Sequence, residues 1–530
     1  MTTKIPLWVW ALILGIPLLA SVPLLAGYAS SSPPEQVFMG FDFIDDFHYY
    51  GNYIYSYAQN PADLLIPNRA TSESQEGRFF FPYFWITGIV STGLGIPLAL
   101  ALIRYLTGVI LLFLVWKLLD YFFPDPFWKK TAFVLTCVGA GFGWITKLLG
   151  AFIPALGNLY STDLTYSLGY TLFGYLSFPL AIAGEALFVA GLYSLFRYWE
   201  KKDGKYLLFF GASLAGMFFV HPVSAVTFFP VLIGGGVLYL IQHPQKTSVR
   251  ELSKPFFGMA IVLIAIGSYL LWALQDPVFQ SVFFSYGLWQ RSESPFWWIL
   301  GYGFILLFAL LGVRTLKLEN KHVNAFFWSW LLVVLVLSLN PWKGLRFQHA
   351  LFLPLVILAT TGIRSAWEWI QKSPIHNWVK EPRTVVGLIV LVMLPGVLFT
   401  ITNHAEDVQD PSFHSGPFLS QGQIDALAFL EKQKTGIVLS NYTMGNNLIW
   451  MTPHYAYVGH WNQTTGREDK EKKITAFFSG EMTVEEAELF LREEKITYIL
   501  REGDEKVPPL ERSETMYEEG NISIHRVNAP

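Results

Sequence analysis

Long apolar runs, each about as long as a bilayer-crossing helix, constrain this chain more than any other feature. The hydrocarbon core needs roughly 20 mostly apolar residues per helical crossing, and a spanning segment must satisfy its backbone hydrogen bonds internally. About eleven segments meet that rule: 6–28, 98–121, 131–153, 172–197, 205–220, 223–241, 256–275, 296–313, 324–340, 349–367 and 384–402. The first is too long, and too poor in a cleavage signal, to read as a removed signal peptide. The expected fold is a multi-pass α-helical membrane protein, with the lipid bilayer as its first partner. Composition agrees, since only 15% of the 530 residues are charged, against about a quarter in soluble domains. An aromatic content of 17% excludes disorder. The net charge of −3 excludes a generally basic nucleic-acid binder. The single cysteine, Cys137, makes neither an intramolecular disulfide nor a metal cluster.

Charge is unevenly spread. Residues 403–530 hold 12 Lys and Arg against 21 Asp and Glu, a balance of −9, whereas the first 402 residues balance at +6. A membrane domain (1–402) is therefore expected, then a linker (403–420) and a small acidic domain (421–530). Basic residues gather in alternate loops, as at Lys201, Lys202 and Lys205, at Lys246, Arg250 and Lys254, and at Arg314, Lys317 and Lys321. Lys and Arg stay on the cytoplasmic side, so the pattern predicts a cytoplasmic N-terminus and an extracytoplasmic C-terminal domain. The segment 79–97 is apolar but broken by Pro82, Gly88, Gly93, Gly95 and Pro97. It reads as interfacial or re-entrant rather than spanning, which leaves 30–97 as one long outer loop.

In the C-terminal domain, 421–434 has helical spacing, while 436–441 and 496–500 read as short strands. Thr483–Glu486 is a T-x-x-E capping box opening a helix over 484–494, and 521–527 alternates as a further strand. This is a small α/β domain.

Chemistry is expected where charge breaks the membrane pattern. The first loop carries GFDFIDDFHYY, with Asp42, Asp45 and Asp46 close together and His48 just beyond. Adjacent carboxylates repel, so one calls for a cation, a metal or a raised pKa. That suits a general base or a divalent-metal ligand, although a solvated loop or a helix cap at Asp46 explains the same residues. Glu73, Glu76 and Arg78 follow as polar residues of the same loop. Arg104 lies inside the 98–121 span, where an Arg usually faces a cavity or a partner, or else snorkels to the surface. His221 sits at a junction between spans, in FVHPVSA. The loop NPWKGLRFQH places Lys343, Arg346 and His349 on the side where basic residues are scarce. A phosphate-bearing lipid is a reason to keep cations there. The loop GHWNQTTG (459–466) could stack on a sugar, and turn chemistry explains it equally well.

These pieces together resemble the GT-C superfamily of membrane glycosyltransferases, and within it a poorly characterised bacterial branch. The matching runs are FIDDFHYYGNYI, TSESQEGRFFFPYFWITGIV with Arg104 after it, GAGFGW, FVHPVSA, LRFQHALFLPL and YVGHWNQTTGREDKEKKITAFF. The superfamily includes protein O-mannosyltransferases, oligosaccharyltransferases and the lipid A aminoarabinose transferase. The resemblance implies catalytic carboxylates at Asp45 and Asp46. It implies donor-phosphate binding by Arg104, His221, Lys343, Arg346 and His349, with Asp42, His48 and Glu73 in support. It implies a polyprenyl-phosphate-linked sugar donor, a lipid, polysaccharide or protein acceptor, and a plasma (inner) membrane location. A divalent metal is the cofactor it allows, on Asp45 and Asp46. The chain departs from the pattern in SFPLAIA, where a His is expected after Pro179 and Leu180 stands, so no role carries over to that segment. A transporter or flippase of a lipid-linked saccharide, or a non-enzymatic envelope assembly protein, is the alternative. Transporters tend to show repeated halves, and no internal repeat is visible here.

Overall fold

A computed structural model describes residues 4–42, 44–79, 82–157, 162–165, 171–285, 295–340, 344–410, 417–511 and 513–528. Each of the apolar segments coincides with helix. Among the described residues eight helices are long and apolar enough to cross a membrane: Leu7–Ala29, Ile96–Tyr121, Pro179–Lys201, Pro222–Gln242, Lys246–Ala273, Lys321–Ser338, Gln348–Ile370 and Pro382–Gln409. Pro126–Val138 and Gly143–Gly150 are bent by 45° and make a ninth if they form one span, while Gly204–Val220 and Trp297–Val313 are shorter. By that length test eight or nine of the eleven segments qualify among the described residues, and the other two are the shorter apolar helices. The bend has a local cause, because Gly139 ends its helix with ψ at 129° and the Phe142 amide instead donates to the Leu300 carbonyl at 2.7 Å. Residues 82–94 form a helix of 13 residues. At about 1.5 Å per residue it falls short of the roughly 30 Å hydrocarbon thickness.

The chain divides into two compact units. The first comprises Met1–Val22, Leu102–Ser268 and Gly287–His404. Its core is a continuous apolar cluster, with Trp330, Phe133, Phe188 and Phe228 fully buried. Without a hydrophobic drive between helices in lipid, close packing of small residues holds them together. The helices 295–313 and 352–370 show this, since a methyl group on Gly312 would overlap the Leu358 carbonyl and one on Gly362 the Phe308 carbonyl. Gly303, at φ +49°, breaks the first of these helices where a Cβ would lie 2.9 Å from the Gly141 backbone.

The second unit comprises Pro23–Ala101, Tyr269–Tyr286 and Ala405–Pro530. It joins the first long loop to the C-terminal domain, and the segment read as a linker is helical through Gln409. Val37–Phe38 pairs antiparallel with Phe418–Leu419. A five-stranded sheet runs in the order 455–456, 437–439, 496–502, 522–527, 513–519. The first three strands are parallel and the rest antiparallel. The capping box at Thr483 and Glu486 forms as expected, opening the helix Val484–Glu493. The strands 455–456 and 513–519 were not legible, the former because two residues carry no periodicity and the latter because SETMYEE lacks an apolar face.

Two outcomes follow. Gly362→Ala forces the helices 295–313 and 352–370 apart and is expected to cost about 1–3 kcal/mol, as overpacking does; thermal unfolding of the detergent-solubilised protein checks it. In the second unit, fully buried His454 accepts the Gly436 amide at Nδ1 (3.1 Å) and donates Nε2–H to the Leu430 carbonyl (2.8 Å). Burial holds its pKa below the ordinary value, so this neutral form stabilises the fold above the unfolded pKa of about 6.5 and is lost as pH falls below it, by up to about 1.4 kcal/mol per pH unit. Chemical denaturation followed by tryptophan fluorescence should show this acid slope, weakened in His454→Asn.

Candidate functional site

In an apolar body the informative side chains are the polar ones, because a buried polar group without a partner is costly. In the first unit they gather around the break between Gly204–Val220 and Pro222–Gln242. Pro222 fits the first helical turn, and its missing N–H would be unsatisfied there anyway. The break leaves His221 half-buried between the two helices. Its Nδ1 lies 2.8 Å from Ser224 Oγ, one turn on, and the same hydroxyl is 3.1 Å from His349 Nε2. The second histidine is held from its other side, where Nδ1 lies 2.6 Å from the Arg346 carbonyl. The two rings meet edge to face at 5.4 Å.

Gly184, in the helix Pro179–Lys201, makes room for this cluster, since a Cβ there would lie 2.6 Å from both His221 Cβ and Ser224 Oγ. Its neighbour Glu185 is only 6% exposed, and its Oε2 has no hydrogen-bond partner among the described residues. Gln348, beside His349, is fully buried with both ends of its amide likewise unpartnered. Also in the first unit, Arg104 is buried and donates to the Ser177 carbonyl at 3.4 Å. The Ser177 hydroxyl in turn lies 3.2 Å from His404 Nδ1.

Of the residues singled out from sequence, the structure brings His221 and His349 together through Ser224. Arg346 contributes the carbonyl, and its charge acts on His221. Arg104 belongs to the Ser177–His404 group. Lys343 and the side chain of Asp45 lie outside the described residues. Three residues of the cluster escaped the sequence reading. Glu185 was visible in principle as a carboxylate inside the apolar run PLAIAGEALF. Ser224 and Gln348 left no signal beyond adjacency to a histidine.

The acidic motif belongs to the second unit. Asp45 and Asp46 sit in the first turn of the helix Ile44–Gln59 rather than capping it, and Asp42 precedes that helix. Negative charge is favoured at a helix N-terminus. Asp46 accepts a hydrogen bond from Tyr50, one turn on, at 3.2 Å. His48 is buried, edge-on to Phe41 at 5.4 Å. Glu73 has a structural partner instead, in that Lys470 reaches it at 2.6 Å and Ser72 Oγ at 3.0 Å. The loop 459–466 is also used for folding. Gln463 offers its carbonyl to Asn68 at 2.9 Å, and Thr464 donates to the Ala70 carbonyl at 2.7 Å. Among the described residues no three His, Cys, Asp or Glu side chains converge as a metal-binding group.

Replacing Glu185 with Leu removes an unpaired buried carboxyl. The thermal midpoint is expected to rise, by on the order of 1–3 kcal/mol of stability. A lowered midpoint in calorimetry would contradict an unpaired carboxyl at this position.

Comparison with known proteins follows the fold. No curated protein matches the chain. The crystal structure of the Archaeoglobus fulgidus oligosaccharyltransferase in the apo form is similar with a TM-score of 0.57 at 12% identity, over 93% of this chain and 69% of that one. The same enzyme tethered with an acceptor peptide gives 0.52 at 13% identity, with the same coverage. ArnT from Cupriavidus metallidurans bound to undecaprenyl phosphate gives 0.53 at 12% identity, over 96% of this chain and 97% of that one. Both proteins are of the GT-C superfamily, and this chain has their fold. The model of a family of unknown function, DUF6541, matches residues 164–524, and the chain belongs to that family.

Proposed function

We propose that the protein is a GT-C glycosyltransferase that moves a sugar from a polyprenyl-phosphate-linked donor to an acceptor on the extracytoplasmic face of the plasma membrane. The observation that carries this reading is the match, over nearly the full length of both chains, to a fold whose solved example holds undecaprenyl phosphate. The acceptor is a lipid, a polysaccharide or a protein.

The chemistry asks for a base on the acceptor hydroxyl and for cations against the departing phosphate. Asp45 and Asp46, in the first turn of their helix, supply the base, with Tyr50 orienting the second carboxylate. Asp42 and His48 flank them. Glu73, engaged with Lys470, supports the loop rather than the reaction. Arg104, His221, Lys343, Arg346 and His349 supply positive charge or N–H donors for the phosphate oxygens.

The reading is tested with the purified full-length protein and a polyprenyl-phosphate-linked sugar, following sugar release or transfer. Asp45→Asn or Asp46→Asn is expected to lower the rate by about 100-fold or more, the usual contribution of a general base. Full activity in both variants would sink the carboxylate mechanism.

A further inference from the structure

The hydrogen bonds around Ser224 fix a direction. A carbonyl oxygen only accepts, so His349 Nδ1, 2.6 Å from the Arg346 carbonyl, carries a hydrogen. In neutral His349 the Nε2 atom is then bare and takes the Ser224 hydroxyl hydrogen across 3.1 Å. Ser224 Oγ, having donated, accepts from His221 Nδ1 across 2.8 Å. His221 therefore keeps a hydrogen on Nδ1 in either charge state, and Nε2 is the atom that titrates. That atom has no hydrogen-bond partner among the described residues, and the ring is half-buried. A proton enters or leaves there without breaking any bond of the chain.

The charged and titratable groups acting on His221 are His349 and Arg346, with no carboxylate among them. From the helix packed on the other side, Glu185 stands one residue beyond Gly184. Arg346 is the cation among them, and a positive charge so placed suits an anion. Without one, burial and these two neighbours keep His221 neutral, and an anion at Nε2 reverses the preference.

We propose that His221 Nε2 carries the proton shared with the lipid phosphate, and that Ser224 and His349 are positioning residues that hold the ring in the required tautomer. The proposal deepens the glycosyltransferase reading and rests on it. As the glycosidic C–O bond breaks, its electron pair goes to the phosphate oxygen. The Nε2 proton passes to that oxygen, leaving His221 neutral. The acceptor oxygen forms the new bond to the anomeric carbon and gives its own proton to the base of the glycosyltransferase reading.

The experiment titrates undecaprenyl phosphate against the full-length protein in nanodiscs between about pH 6 and pH 9, bracketing histidine titration. Wild-type affinity is expected to fall as pH rises, approaching tenfold per pH unit where one proton is linked. His221→Gln should bind more weakly at low pH and retain only the slope due to the lipid's own phosphate. Ser224→Ala should move toward that profile, while Ser224→Thr, which keeps the hydroxyl, should preserve the wild-type one. Thermal melts confirm that the variants are folded. Wild-type affinity and slope in folded His221→Gln would overturn the proposal and leave the glycosyltransferase reading standing. Failure of the folded wild type to bind undecaprenyl phosphate at any pH would overturn that reading, and the proposal with it.

Discussion

A guanidinium taken out of water must have its N–H groups satisfied by protein, and Arg69 shows what that demand organises. It donates to the Asn52 side chain at 3.0 Å, to the Asn52 carbonyl at 3.0 Å, to the Ile449 carbonyl at 2.8 Å and to the Thr452 carbonyl at 2.7 Å. It also stacks over the Tyr55 ring at 4.6 Å. Burial lowers its pKa to about 10, which still leaves it charged at neutral pH. One side chain thus ties the helix bearing the acidic motif to the helix Tyr442–Met451, some 380 residues away in sequence. Gly51 completes the contact, because a Cβ there would lie 2.7 Å from Trp450. The first loop is a folded part of the C-terminal unit because of such long-range bonds.

The first unit is governed by the opposite economy. Its interior is apolar, so each polar group stands out by whether it is satisfied. Ser224, His221 and His349 satisfy one another in a chain that ends on a backbone carbonyl. Glu185 and Gln348 do not. Each unsatisfied buried group calls for an explanation; Gln348 adjoins His349, and Glu185 adjoins the glycine that packs on His221.

Much of this was legible in the sequence. The apolar runs located each membrane helix, and the C-terminal residues fold as part of the second unit. The capping box at Thr483 placed one of its helices. Histidines 221 and 349 were picked out as phosphate-binding candidates, although 128 positions separate them. The segment 131–153 read as one span, and its 45° bend was not legible, because Gly139 and Gly141 mark a close approach that hydropathy does not register. Glu73 read as a supporting site residue, and its pairing with Lys470 is visible only in the folded chain.

Local sequence determined what depends on short-range composition: the membrane class, the positions of the helices, the capping box and the residues that break the apolar pattern. Only the tertiary structure decided what those exceptions do, because their partners lie far along the chain. Ser224 became a bridge when a helix break and a glycine brought two distant histidines to one hydroxyl. The loop GHWNQTTG became a clamp when its Gln463 carbonyl, Thr464 hydroxyl and Thr465 amide met residues 68–71. Hydrogen-bond satisfaction in a water-poor interior is a property of the packed chain, and no window of the sequence carries it.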